Sequence, residues 1–145
     1  MILCDTNLLL YSAQPDAPQF SEALGFIQKS LAGGEQLVVF LQNLAEFWNV
    51  ATRSRERNGL GFTISRADAE MDYLLESVAV LPDHVKTAEI WRSLVLKNEI
   101  RGVQVHDARL VAGMKAYGIG QVATYNGKDF VRYAGVTVLH PKDVV

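Results

Sequence analysis

Short, uniformly apolar runs alternate with segments of helical periodicity along this chain, and this alternation constrains its fold most strongly. A strand that is apolar at nearly every position is typical of a parallel sheet that helices cover on both faces. Strands that alternate with helices are the pattern of an α/β fold. We therefore predict an α/β fold with a parallel sheet, whose strands are residues 1–4, 37–41, 78–81, 121–124 and 136–139.

Apolar residues at three- and four-residue spacing predict helices between these strands. Asn43 is expected to cap the second long helix, and the basic segment 53–61 is expected to form a loop or a frayed helix end. The 145 residues contain no internal repeat and no long linker, so we expect a single domain over residues 1–145. The predicted helices are residues 19–31, a helix that carries residues 44–51, a helix that begins at residue 65, and residues 83–98 and 106–117.

Composition and charge exclude several classes of protein. The formal net charge is −2, so no global positive field indicates nucleic acid, and any polyanion site has to be a local patch. The one cysteine, Cys4, excludes a disulfide framework and a cysteine zinc site, and it fits a reducing cytoplasm. No run of 18 apolar residues is present and the apolar start contains Asp5, so we expect neither a membrane span nor a signal peptide.

Acidic side chains occur at four places that a parallel sheet would bring to one edge. They are Asp5 at the end of the first strand, Glu46 in the first turn of the helix after the second strand, Asp107 in the first turn of a late helix, and Asp129 after the strand that ends at Thr124. Strand carboxyl ends and helix amino ends meet at the same edge of such a sheet. Two carboxylates about 4 Å apart repel by roughly 4 kcal/mol at an effective dielectric of about 20, so clustered acids hold a proton or a cation.

Oxygen ligands without clustered cysteine or histidine favour Mg²⁺ or Mn²⁺ over zinc, and such an ion can activate water against a phosphodiester. Each acid also has a purely structural explanation. Asp5 and Asp129 can cap helices or stand in turns, Glu46 can form a capping box with Asn43, and Asp107 can complement a helix dipole. The spacing of the acids leaves these alternatives open.

The same residues form motifs that resemble a known protein family. Asp5-Thr6-Asn7 is followed by Leu-Leu-Leu-Tyr, and Glu46 lies in a helix after the second strand. His106-Asp107-Ala108 opens a late helix, and residues 124–130 have the sequence Thr-Tyr-Asn-Gly-Lys-Asp-Phe. In the order and spacing of these motifs, the whole chain resembles a PIN-domain ribonuclease, and most of all the VapC-type toxins of bacterial toxin–antitoxin pairs.

This resemblance implies a three-layer α/β/α sandwich with a parallel sheet of four or five strands, and an endoribonuclease that depends on Mg²⁺ or Mn²⁺. It implies that Asp5 and Asp107 are the principal metal ligands and that Glu46 is the third acid. Thr6 and Thr124 would orient ligands or the attacking water. The resemblance also implies a homodimer and an antitoxin that inserts a segment into the active-site groove.

One residue departs from the family pattern. Asn126 stands where the family often has an aspartate, two residues after the strand-end Thr124. Asp129 is the acid that can compensate, as a contributing catalytic carboxylate; otherwise the site has three acids.

We therefore expect a cytoplasmic, metal-dependent endoribonuclease that hydrolyses RNA phosphodiester bonds as the toxin of a type II toxin–antitoxin pair. The alternative is a catalytically inactive PIN-like or flavodoxin-like binding module, which the Asn126 departure favours. Basic side chains could contact the phosphates of the RNA, although each of them could equally be a solvated surface cation. The candidates are Arg53, Arg55, Arg57, Arg101, Arg109 and Lys128.

Overall fold

Five strands form one parallel sheet in a computed structural model that describes residues 1–144. The strands are β1 (Ile2–Cys4), β2 (Leu37–Phe40), β3 (Ala79–Leu81), β4 (Gln121–Ala123) and β5 (Thr137–Leu139). Their order in the sheet is β3-β2-β1-β4-β5, and all four neighbouring pairs are parallel. The predicted α/β class with a parallel sheet is confirmed.

Within residues 1–144, six α-helices connect or follow these strands. They are α1 (Thr6–Ser12), α2 (Phe20–Ala32), α3 (Leu41–Thr52), α4 (Ile64–Leu75), α5 (Thr87–Lys97) and α6 (Val105–Tyr117). Short 3-10 turns cover Arg55–Arg57, Gly102–Gln104, Gly127–Asp129 and Pro141–Asp143. No helix within residues 1–144 is both long enough and apolar enough to cross a membrane.

Two apolar clusters lie on opposite faces of the sheet, as the alternation of side chains along a strand requires. On one face Ile2 and Cys4 of β1 pack with buried residues of α1 to α4, such as Phe26 and Phe47. On the other face Leu3 packs with the buried residues of α5 and α6. The two helical layers enclose the sheet, so the three-layer α/β/α sandwich is confirmed.

The boundary between β2 and α3 differs from the prediction. Leu41, which was expected to end the strand, is the first residue of α3, and Asn43 is its third residue. Asn43 still serves the helix start, because its Oδ1 accepts a hydrogen bond of 2.9 Å from the backbone N–H of Phe40. Strand and helix therefore follow each other without a loop.

Two other elements differ from the sequence prediction. Helix α5 begins at Thr87 rather than at residue 83 or 84. Strand β3 is as apolar in sequence as the other strands, but Val80 at its centre is 43% exposed. The position of β3 at the edge of the sheet explains this exposure, because an edge strand has a neighbour on one side only.

The carboxyl ends of three adjacent strands bring distant parts of the chain together. Strand β1 lies between β2 and β4, so Asp5 stands between the start of α3 and Thr124. The backbone N–H of Asp5 donates to the carbonyl of Ala123 at 3.0 Å, which extends the β1–β4 pairing to the candidate site.

Candidate active site

Asp5 is buried at the junction of β1 and α1, with 8% of its surface exposed. Its Oδ1 accepts the backbone N–H of Thr6 at 2.7 Å, so Asp5 is the N-cap of α1. Its Oδ2 accepts the Thr124 hydroxyl at 2.6 Å and the Asn7 amide at 3.0 Å. Asp5 is thus both a helix cap and a carboxylate held in one orientation by three donors.

Asn7 and Thr124 join α1 to the end of β4. The Asn7 Nδ2 also donates to Thr124 Oγ1 at 3.1 Å, and the Asn7 Oδ1 accepts the backbone N–H of Tyr125 at 3.1 Å. Thr124 is fully buried, and its Oγ1 accepts the backbone N–H of Asn126 at 3.0 Å. These contacts fix the segment that follows β4 relative to Asp5.

Glu46 extends from α3 toward the amino end of α1. Its Oε2 accepts the Thr6 hydroxyl at 2.8 Å, and its Oε1 accepts the Gln42 amide at 2.9 Å. Glu46 lies in the second turn of α3, not in the first turn as predicted, because α3 starts directly after β2. The capping-box alternative for Glu46 is wrong, since Asn43 makes the capping contact with Phe40.

Asp107 is the third residue of α6 and lies in its first turn, as predicted. Its half-buried carboxylate makes no hydrogen bond and no ion pair with any residue between 1 and 144. Burial, together with the negative charges of Asp129, Asp5 and Glu46, raises the pKa of Asp107 to about 6, and the charge of His106 opposes them. The four predicted acids therefore act electrostatically on one another.

The pKa of the Asp5 carboxyl is also raised. Burial is the largest cause, and the charges of Glu46 and Asp129 add to it, while the hydrogen bonds from Thr124 and Thr6 work in the opposite direction. No Lys or Arg within the described part of the chain forms an ion pair with any of these acids. The site is thus an edge of the sheet with uncompensated negative charge.

Asn126 and Asp129 occupy different environments in the turn after β4. The side chain of Asn126 is exposed and forms no hydrogen bond with the described residues. The backbone carbonyl of Asn126 accepts the backbone N–H of Asp129 at 3.0 Å. Asp129 ends the 3-10 turn that starts at Gly127, and its charge acts on both Asp5 and Asp107. A Cβ at Gly127 would lie 2.9 Å from Cγ1 of Val138, so glycine lets this turn pack against β5.

The carboxylates do not by themselves form a closed metal cage. Among residues 1–144, no group of three or more His, Cys, Asp or Glu side chains is arranged to hold a metal ion. The donor set is nonetheless chemically suited to Mg²⁺ or Mn²⁺, since it consists of carboxylate, hydroxyl and amide oxygens. The like charges repel one another, and a divalent ion would draw the side chains inward.

Two of the basic side chains that were named as candidates for phosphate contacts have other partners in the structure. Arg109 forms an ion pair of 3.0 Å with Asp83, and the Arg53 guanidinium donates to the carbonyl of Asn58 at 3.2 Å. Arg55 lines a separate cavity of about 410 Å³ together with Arg66. The other candidates are exposed and form no hydrogen bond or ion pair among the described residues; they are Arg55, Arg57, Arg101 and Lys128.

Two residues to which the sequence analysis assigned no role in the site, Asn7 and Gln42, also contact its acids. Asn7 lies in the Asp5-Thr6-Asn7 motif, in which roles were predicted for Asp5 and Thr6 only. Gln42 precedes Glu46 by four residues and so lies on the same face of α3, a spacing that could have indicated the pair.

Several solved structures have the same fold. The chain is similar to a protein in the FitAcB structure from Neisseria gonorrhoeae (TM-score 0.70, 19% identity, covering 98% of this chain and 99% of that chain). It is also similar to a chain of Rickettsia felis VapBC2 bound to a promoter DNA fragment (TM-score 0.69, 17% identity, 96% and 98% covered). A third similar structure is Mycobacterium tuberculosis VapC20, a toxin that cleaves the sarcin–ricin loop (TM-score 0.65, 18% identity, 89% and 92% covered).

Sequence comparison assigns the chain to a family more directly than these structural similarities do. A search of curated protein sequences gives no match. The model of the PIN domain family, in contrast, matches residues 2–136, which is nearly the whole chain. With the parallel sheet, the acids at its carboxyl edge and this match in agreement, the chain belongs to the PIN domain family.

Proposed function

We propose that this protein is an endoribonuclease that depends on Mg²⁺ or Mn²⁺ and acts as the toxin of a toxin–antitoxin pair. The observation that carries the proposal is the Asp107 carboxylate, which is half-buried, has no hydrogen-bond partner among the described residues and is exposed to the charges of three other acids. An acid that is left unpaired beside other acids costs stability, and a bound cation removes that cost.

Asp5, Asp107 and Glu46 would hold the ion. A bound divalent ion would lower the pKa of a coordinated water and neutralise charge that develops on the scissile phosphate. Thr124 and Asn7 orient the Asp5 carboxylate by donating to Oδ2, and Thr6 does the same for Oε2 of Glu46.

Asp129 is proposed as a fourth, contributing acid on the same side of the sheet. Its side chain forms no hydrogen bond with residues 1–144, and its charge acts on both Asp5 and Asp107. A carboxylate with free oxygens beside a metal ligand can accept a proton from an attacking water or orient that water. Thr6 and Thr124 remain supporting residues that hold the acids in place.

The neighbours in structure support the proposed partners. One similar structure, with 20% identity, is a toxin–antitoxin complex from Klebsiella pneumoniae. The VapC20 toxin cleaves the sarcin–ricin loop. By extension, we propose an RNA substrate, a cognate antitoxin protein and a homodimer for this chain.

The deciding experiment combines metal binding with RNA cleavage. We expect millimolar Mn²⁺ to raise the Tm of the wild type by mass action, and we expect chelator to stop the cleavage of total bacterial RNA. Asp5→Ala and Asp107→Ala should each lower cleavage by roughly 100-fold, because each removes a group that holds the ion. Asp68→Ala, which removes an exposed acid of α4, is the matched control and should cleave like the wild type.

Two outcomes would overturn the proposal: a Tm that does not respond to millimolar Mn²⁺, or full cleavage by a folded Asp5→Ala, Asp107→Ala double variant. The second candidate function is a PIN-like binding module without catalysis. The exposed side chain of Asn126 at the family's usual acid position favours it. It predicts RNA or protein binding that survives in chelator, without any cleavage.

A further inference from the structure

The side chain of Gln42 links α3 to α6, and each of these helices carries a proposed metal ligand. It lies in the first turn of α3, is 8% exposed, and points away from solvent. Its Nε2 donates to Oε1 of Glu46 at 2.9 Å and also to the backbone carbonyl of His106 at 2.9 Å. His106 immediately precedes Asp107 in α6. One amide group thus contacts one proposed ligand directly and the peptide beside another.

The chemistry of the neighbours fixes the orientation of this amide. A carboxylate oxygen and a backbone carbonyl can only accept, so the nitrogen, and not the oxygen, of the Gln42 amide has to face them. The two hydrogens of an NH₂ group lie about 120° apart in one plane, which places Oε1 of Glu46 and the His106 oxygen about 5 Å from each other. Gln42 therefore holds α3 and α6 at a set spacing.

One atom of the Gln42 side chain is unfavourable for the stability of the fold. Its Oε1 is buried and has no hydrogen-bond partner among residues 1–144. A buried acceptor without a partner is unfavourable, and such groups in native proteins are few. Glu46 is partly exposed and can be solvated, and in an α-helix the carbonyl of His106 has a further partner four residues on. A methionine at position 42 would fill the space without the unpaired oxygen.

We propose that Gln42 is a positioning residue that sets the distance between Glu46 and the start of α6, and through it the spacing of the acid cluster. The inference rests on the proposed metal-dependent cleavage. The role needs both donated hydrogen bonds at once, which no apolar residue supplies. It accounts for a buried polar side chain whose removal should leave the fold intact and impair the site.

The test compares Gln42→Met with Thr87→Val. Thr87 is also 8% exposed, and its Oγ1 is likewise buried without a partner among the described residues, but it lies at the start of α5 and forms no hydrogen bond with Asp5, Glu46, Asp107 or Asp129. Both substitutions remove an unpaired buried oxygen and keep the size of the side chain. We expect both metal-free variants to melt within about 3 °C of the wild type, or above it, since that interval corresponds to a small change in stability for a chain of this size.

The two variants should differ in metal binding and catalysis. For Gln42→Met we expect Mn²⁺ affinity, measured from the electron paramagnetic resonance of free Mn²⁺, to fall about 10-fold, in the range seen when partners of metal ligands are lost. At saturating Mn²⁺ its kcat should remain below that of the wild type, with KM for RNA unchanged. Thr87→Val should match the wild type in all three measurements.

Nuclear magnetic resonance can test the two hydrogen bonds of Gln42 without any metal. The amide of Asp107 belongs to the same peptide group as the His106 carbonyl, so its ¹⁵N resonance should shift in metal-free Gln42→Met and not in Thr87→Val. In the wild type, both Nε2 protons of Gln42 should exchange slowly with solvent, and this measurement needs no variant.

Several results would overturn the proposal: rapid exchange of the Nε2 protons, or a Gln42→Met protein with the Mn²⁺ affinity and kcat of the wild type. If the wild type itself binds no Mn²⁺, the proposed function fails. If the wild type binds Mn²⁺ and Gln42→Met binds it equally well, only the role of Gln42 fails.

Discussion

Asp5 and Asp107 show how two carboxylates of one site can differ in their local support. Asp5 accepts three hydrogen bonds and caps α1, so its position is determined by the fold. Asp107 accepts none from the described residues, and its environment consists mainly of other negative charges. Asp5 therefore does cap a helix, as its structural explanation states, and this role is compatible with binding a metal ion. For Asp107, a helix-dipole role alone would not place it among three acids.

Asp129 is the residue at which the sequence left two alternatives open. Its charge is the largest charge effect on the pKa of Asp107, which favours a contribution of Asp129 to the site. We expect Asp129→Asn to lower RNA cleavage by about 10-fold or more, in the range for groups that support a metal site. We also expect it to lower the pKa of Asp107, as followed by NMR titration of the carboxyl carbon in chelator.

Asp143→Asn is the matched control for that substitution. Asp143 also ends a 3-10 turn, Pro141–Asp143, but it is exposed and lies outside the cluster. It should change neither the cleavage rate nor the pKa of Asp107. Cleavage by Asp129→Asn at the wild-type rate over a range of Mg²⁺ concentrations would leave a site of three acids.

At the scale of elements, the sequence was sufficient where apolar patterning decides the structure. The five strands and the alternation with helices follow from short runs such as residues 37–40, which are buried at every position. It was insufficient at the start of α3, where Leu41 is apolar but 65% exposed. Apolarity alone could not reveal that β2 turns into helix there, because the deciding contact is the local hydrogen bond between Asn43 and Phe40.

The candidate site followed the same division. Parallel topology predicts that acids at strand ends and helix starts approach one another, and Asp5, Glu46, Asp107 and Asp129 do so. The hydrogen bonds from Asn7 to Tyr125 and from Gln42 to His106 join parts of the chain that are far apart in sequence, and no sequence period encodes them. The basic segment also needed the structure, since it folds back onto the end of α3 through backbone hydrogen bonds such as Leu60 N–H to Val50 O at 2.9 Å.

That return of the chain after α3 depends on Gly59. A Cβ at Gly59 would lie 1.9 Å from the carbonyl oxygen of Arg53, so any side chain forces the segment apart. We expect Gly59→Ala to lower the free energy of unfolding by about 1–3 kcal/mol, as for other overpacked sites, and to lower the Tm by several degrees in thermal melts. Gly120→Ala is the control, because its Cβ would meet its nearest atom at 3.8 Å. Equal melting of the two variants would contradict this account of the segment.

For the whole molecule, the acid cluster links stability to pH and to metal. Without metal, the pKa of Asp107 is about 6 in the folded state, and an unfolded chain has the ordinary aspartate value of about 3.9. Between these two values the folded protein binds more protons than the unfolded chain, so the contribution of Asp107 to stability is lost as the pH rises from about 4 to about 6. The raised pKa of Asp5 acts in the same direction.

Asp107→Asn isolates this contribution, because it keeps the shape of the side chain and fixes it in a neutral form. In chelator, we expect the Tm of Asp107→Asn to equal that of the wild type near pH 4 and to exceed it increasingly up to about pH 6.5, with a constant difference above that. Adding Mn²⁺ at pH 7.5 should reverse the order, since the ion stabilises the wild type and binds the variant poorly. Thermal melts at a series of pH values, with and without Mn²⁺, measure both effects. A Tm difference that does not vary with pH in chelator would mean that the ionised Asp107 does not destabilise the folded protein. An unchanged order of the two Tm values in Mn²⁺ would mean that this destabilisation is unrelated to metal binding.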